Sequence, residues 1–118
     1  MTENDADQVT GAAVLEELVA LFSDVPGVEN GTMFRSPGLR VHGKIFAFLG
    51  HEHRLLVKIP RDEADDAVAR GEATEVVMGT RRMKEWIAYP VRPDHGQTLQ
   101  TWEAAARRAH AYVSRLAT

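Results

Sequence analysis

The order of apolar and polar positions divides the chain into three helical and five or six extended segments. Val14, Leu15, Leu18, Val19, Leu21 and Phe22 recur at i, i+3, i+4 and i+7 spacing, which predicts a helix from Asp7 or Thr10 to Ser23. Pro26-Gly27 closes it, and Asn30-Gly31 reads as a further turn. Short extended segments follow at Thr32–Arg35 and Leu39–His42, separated by Ser36-Pro37-Gly38. Gly43 permits a turn before Lys44–Leu49. In that strand strict alternation sends Ile45, Ala47 and Leu49 to one face and Phe46 and Phe48 to the other, as in a central strand covered on both sides. Gly50-His51-Glu52-His53 makes a tight connection to Arg54–Ile59, where Leu55, Val57 and Ile59 share a face.

Pro60 opens a short helix, Asp62–Arg70, with acids in its first turn, Arg70 in its last, Gly71 as a stop, and Ala64 and Val68 as its inner edge. Thr74–Met78 and Lys84–Tyr89 read as strands around Gly79-Thr80. Pro93-Asp94-His95-Gly96 is a loop. The last helix, Thr98–Leu116, carries one stripe of Leu99, Trp102, Ala106, Ala109, Val113 and Leu116. The order α-β-β-β(-β)-α-β-β-α is that of an α+β fold, an antiparallel sheet with helices packed on one face. Residues 1–8 read as a flexible acidic tail and 9–118 as a single domain, in keeping with 118 residues in all.

Composition narrows the chemistry mainly by exclusion. The chain has no cysteine, which rules out disulfides, Cys-ligated metal and thiolate catalysis and points to a reducing cytoplasm. No apolar run approaches the ~20 residues of a membrane helix, and the first residues are acidic rather than signal-like. The net charge of −3 is uneven: residues 1–29 carry seven acids and no Lys or Arg, leaving ten acids and all fourteen bases, eleven of them Arg, for the remainder. The body is therefore mildly basic, although a pI near 5.9 is far from that of a dedicated nucleic-acid binder.

No catalytic residue, cofactor site or metal site is assigned. His51 and His53 flank Glu52 in a turn, without a third ligand placed by spacing, and His42, His95 and His110 are scattered. Ser23, Ser36 and Ser114 lie in no nucleophile-elbow pattern. Asp62, Glu63, Asp65 and Asp66 are explained by the helix dipole. The segment Arg81-Arg82-Met83-Lys84-Glu85-Trp86, with Arg92 beyond it and Arg108 on the last helix, is the candidate surface for nucleic acid or a partner. Bases can hold phosphates there while an aromatic stacks; the plainer reading is a hairpin arm with solvated charges ahead of a core-anchoring Trp86. Arg108, Tyr112 and Arg115 share a helix face that could extend the patch.

Met33-Phe34, Gly38-Leu39-Arg40-Val41-His42-Gly43-Lys44-Ile45-Phe46-Ala47-Phe48-Leu49, Arg54-Leu55-Leu56-Val57-Lys58 and Gly79-Thr80-Arg81-Arg82-Met83-Lys84-Glu85-Trp86 resemble the TfoX/Sxy N-terminal-domain family and the related MmcQ/YjbR-like proteins. The resemblance covers about residues 12–116. Arg35-Ser36-Pro37 stands where that family often has glycines. The resemblance implies a fold similar to secretion chaperones, and a regulatory role that the family associates with transcription and with DNA.

The expectation is thus a non-enzymatic binding or regulatory module acting through protein–protein contact at the less covered sheet face or an edge strand. The alternatives are a nucleic-acid-binding accessory protein using Arg81, Arg82, Lys84, Arg92 and Arg108, or a small-molecule or enzymatic pocket between sheet and last helix walled by Trp86 and Trp102. The partners expected are an unidentified protein, with nucleic acid or a second copy as further options.

Overall fold

A computed structural model describes residues 10–33 and 36–116. The expected acidic tail, and the Phe34-Arg35 step of the family-like motif, lie outside the described residues. Helix α1 (Gly11–Leu21) starts at Thr10, whose hydroxyl accepts the Ala13 N–H at 3.2 Å. It buries Val14, Leu15 and Leu18, and the chain turns at Phe22. Leu21 leaves the expected stripe and faces solvent.

Strands β1 (Val28–Met33), β2 (Ser36–Val41), β3 (Lys44–Leu49) and β4 (Leu55–Lys58) follow as an antiparallel meander. A 3-10 turn, His51–His53, joins β3 to β4. Helix α2 (Arg61–Ala69) precedes β5 (Thr74–Met78), β6 (Arg81–Tyr89) and helix α3 (His95–Leu116). The six strands lie in the order β1-β2-β3-β4-β6-β5, so β1 and β5 are the two edges.

Two segments expected to break strands lie inside them. Asn30-Gly31 belongs to β1 and Ser36-Pro37-Gly38 to β2. Gly31 and Gly38 are cross-strand partners. A Cβ on Gly38 would stand 2.4 Å from the Ala47 carbonyl oxygen, and one on Gly31 would stand 2.9 Å from Ile45. Gly38 therefore serves close strand approach, and Gly31 leaves room for the Ile45 and Arg40 side chains; neither makes a turn. Pairing with β3 stops at Gly38, so the missing N–H of Pro37 is not needed on that side. The β2–β3 connection is a two-residue hairpin loop, with His42 at φ 52° and Gly43 at φ 81°, the left-handed pair that suits strand twist.

The alternation expected in β3 fails at one point. Leu39 pairs with Ala47, but Arg40 pairs with Ile45, so Phe46 is an extra residue in a bulge. Phe46 and Ala47 both join the helix-side core, whereas Ile45 and Phe48 lie with the opposite cluster. β4 keeps strict alternation: Leu55, Val57 and Ile59 enter the main core and Leu56 the other.

All three helices contribute to the main core, where Trp102, Tyr89, Phe22 and Phe46 are fully buried. Trp102 donates its indole N–H to the Pro90 carbonyl at 3.2 Å. The stripe of α3 gains Thr98 and Ala105 and loses Leu116, which is exposed. The helix begins at His95, earlier than expected, because Asp94 accepts the Gln97 N–H at 2.9 Å and caps the first turn.

Candidate functional site

The helix-free face of the sheet has a small apolar cluster of its own. Phe48, Leu56, Val76 and Ala88 are buried there, with Ile45, Met83 and Trp86 packed against them. No helical residue belongs to this cluster. The expectation that both faces of β3 are covered holds, but side chains of β5 and β6 supply the outer cover in place of a helix.

The β5–β6 hairpin is built to reach across this face. Glu75 pairs with Ile87 and Val77 with Arg82, so one residue of β5 stands opposite the four residues 83–86 of β6. Such a bulge bends its strand and strengthens the twist. The cleft that results, about 230 Å³, is bordered by Ser36 of β2, Phe48 of β3, Leu56 of β4 and Met78 of β5. β2 and the edge strand β5 thus border one cleft, with Met78 beside the hairpin turn at its rim. Val77 is 59% exposed and Met78 48% exposed at its rim. Trp86 is half-buried on Phe48, edge-on with ring centroids 5.2 Å apart. It anchors this outer cluster and not the main core.

Arg61 holds the bulge in place. Its guanidinium donates to the Lys84 carbonyl at 2.8 Å, to both Glu75 carboxylate oxygens at 3.0 and 3.2 Å, and to Asp65 at 2.8 Å. The first residue of α2 is thereby tied to β5 and to the irregular part of β6.

The five expected surface cations fall into two groups. Arg81, Arg82 and Lys84 lie on the exposed arm of β6. Arg82 stands 3.8 Å from Glu75, whereas Arg81 and Lys84 have no carboxylate within 4 Å among the described residues. Glu85, the acid that interrupts the basic stretch, is taken by Lys58 at 3.4 Å. Arg92 and Arg108 meet instead at the far end of the hairpin, in a groove shared with Glu72 and α3. Up to roughly 25 Å of extended strand separates the two groups. Tyr112 is half-buried against the main core, and burial, then the negative charge of nearby Glu85, raises its hydroxyl pKa.

Trp102 is wholly buried, while Trp86 borders a shallow groove with Val113 and Leu116. No group of three or more His, Asp or Glu side chains among the described residues could hold a metal ion. No helix among them is long and apolar enough to cross a membrane.

The residues that shape the open-face cleft were not singled out as functional from sequence. Val76-Val77-Met78 at the end of a strand is the one signal that could have done so, since alternation sends one of two adjacent valines outward. The sequence model of the YjbR family matches residues 23–111. The chain belongs to the YjbR family. Its match takes in all six strands, α2 and most of α3, so the hairpin arm and the open face lie within the matched residues. No curated protein matches this YjbR-family chain.

Proposed function

We propose that this protein is a non-enzymatic binding module that docks a protein partner on the open sheet face and the free edge of β5. The docked segment is extended and carries acidic side chains. The observation that supports this most directly is the one-sided build: every helix covers one face, and the other ends in an apolar cleft rimmed by exposed Val77 and Met78. β5 is an edge strand, so its outward N–H and C=O groups are available to a further strand. Arg81 and Lys84, without carboxylates of their own, favour acids on that strand. A chain without cysteine suits a cytoplasmic setting for this work.

The competing reading is nucleic-acid contact through the same arm. It draws support from Arg81, Arg82, Lys84 and the neighbouring Trp86, but Arg92 and Arg108 do not extend that patch. The test compares the protein with a Val77→Glu/Met78→Glu variant as bait in an extract of its native cell. The wild type is expected to retain a protein at fixed stoichiometry. The variant loses it at an unchanged melting temperature, and Arg81→Gln/Lys84→Gln weakens it more at low salt than at high. Equal retention by wild type and variant, or retention of nucleic acid alone, would overturn the reading.

A further inference from the structure

The second group of arginines lies in a groove of about 500 Å³ between the base of the β5–β6 hairpin and α3. That is the size range of small-molecule sites. Gln97, Gln100, Thr101 and Arg108 project into it from one side of α3, and Ala104 between them keeps the floor open. Arg92 enters from the loop after β6. Its backbone is pinned to α3 by the buried Thr98 hydroxyl, which accepts the Arg92 N–H at 2.9 Å and lies 2.9 Å from the Asp94 carbonyl. Arg108 is thus carried by α3, and Arg92 by a loop whose backbone is fixed to that helix.

The single acid in the lining is already satisfied. Arg70 forks onto Glu72, donating to its two carboxylate oxygens at 3.1 and 3.3 Å. That hydrogen bonding, with Arg108 and Arg92 nearby, holds the Glu72 carboxyl below its usual range. Arg92 and Arg108 have no ion-pair partner within 4 Å among the described residues, so their charge is left for a ligand.

We propose that this groove binds a small phosphate-bearing molecule, its oxyanion gripped by Arg92 and Arg108 and its remaining polar groups met by Gln97, Gln100 and Thr101. Planar guanidiniums suit phosphoryl oxygens because they donate two parallel hydrogen bonds. A small ligand fits better than a nucleic-acid strand: the groove offers only two arginines, and the cations of the β6 arm lie outside it. This site is independent of the protein-docking face and stands or falls alone.

Calorimetry and thermal denaturation with inorganic pyrophosphate at low ionic strength test it, with citrate as the carboxylate control. The expected result is saturable binding and a raised melting temperature for the wild type. Arg92→Gln and Arg108→Gln each weaken binding by about tenfold or more, and Arg81→Gln leaves it unchanged. Should Arg108→Gln not fold, Arg92→Gln, which alters a loop residue, decides the matter. The proposal is overturned by absence of saturable binding at millimolar pyrophosphate, by an equal response to citrate, or by binding that follows Arg81 and not Arg92. Tighter binding of a duplex oligonucleotide through Arg92 and Arg108 would overturn it as well.

Discussion

His110 is a polar residue placed among rings. Its imidazole meets Phe46 edge-on at 5.5 Å and Phe22 at 6.3 Å, and its Nε2 is buried without a hydrogen bond. Arg107 lies over the Phe22 ring at 5.0 Å, and His42 of the β2–β3 turn is close by. Burial first, then these two neighbours, hold the His110 pKa below its usual 6.5. On acidification the unfolded chain therefore takes up this proton before the folded one does. Stability falls as pH drops through the ordinary histidine range, by at most about 1.4 kcal/mol per pH unit for one group, and levels off once the folded ring is also protonated. His110→Leu removes that component. Urea denaturation at several pH values between neutrality and mild acid should give a shallower fall for the variant. Parallel profiles for the two proteins would mean that His110 is solvated in the fold.

The hairpin arm shows how an element can depend on one side chain far away in sequence. Bulged residues 83–86 cannot complete a ladder with β5, so their carbonyls need other donors. Arg61 supplies one to Lys84 and fixes Glu75 with the same guanidinium. Arg61→Ala is expected to cost about 1 kcal/mol, since the group is partly solvated. The larger effect is local: amide exchange over residues 75–86 should speed up while that of β3 and β4 does not change. Lysine cannot reproduce the fork and should not rescue it. Exchange rates that are equal in wild type and Arg61→Ala would show that the bulge holds without the clamp. This also marks what was legible beforehand. Helices and strands with uninterrupted periods, such as Leu55, Val57 and Ile59 in β4, could be assigned from their own residues. The β3 bulge at Phe46 could not, because it arises from a register set by two strands together. The Gly31–Gly38 pair read as turns because glycine signals both a bend and a close approach. The arginine groove stayed hidden because Glu72, Arg92 and Arg108 come together only once β6 and α3 are in place.

For the molecule as a whole, the separation of the two cationic groups makes a quantitative statement about DNA. Each phosphate neutralised on a duplex contributes about 0.9 to the slope of log affinity against log salt. The β6 arm offers Arg81, Arg82 and Lys84, a slope of about 2.7 at most. All five candidate cations acting together would give about 4.5. Arg82 is shared with Glu75, and the formal net charge of −3 opposes approach of a polyanion. Duplex binding is therefore expected to be weak, with a slope no steeper than about 3 and insensitive to Arg92→Gln/Arg108→Gln. A fluorescence-anisotropy titration across salt concentrations measures this directly. A slope near 4.5 that shrinks in the Arg92→Gln/Arg108→Gln variant would mean that one duplex bridges both ends of the hairpin. In that case the arm and the groove would be parts of a single nucleic-acid surface. Protein docking on the open face would then lose the charge argument that selects an acidic partner, because the same charges would belong to phosphate.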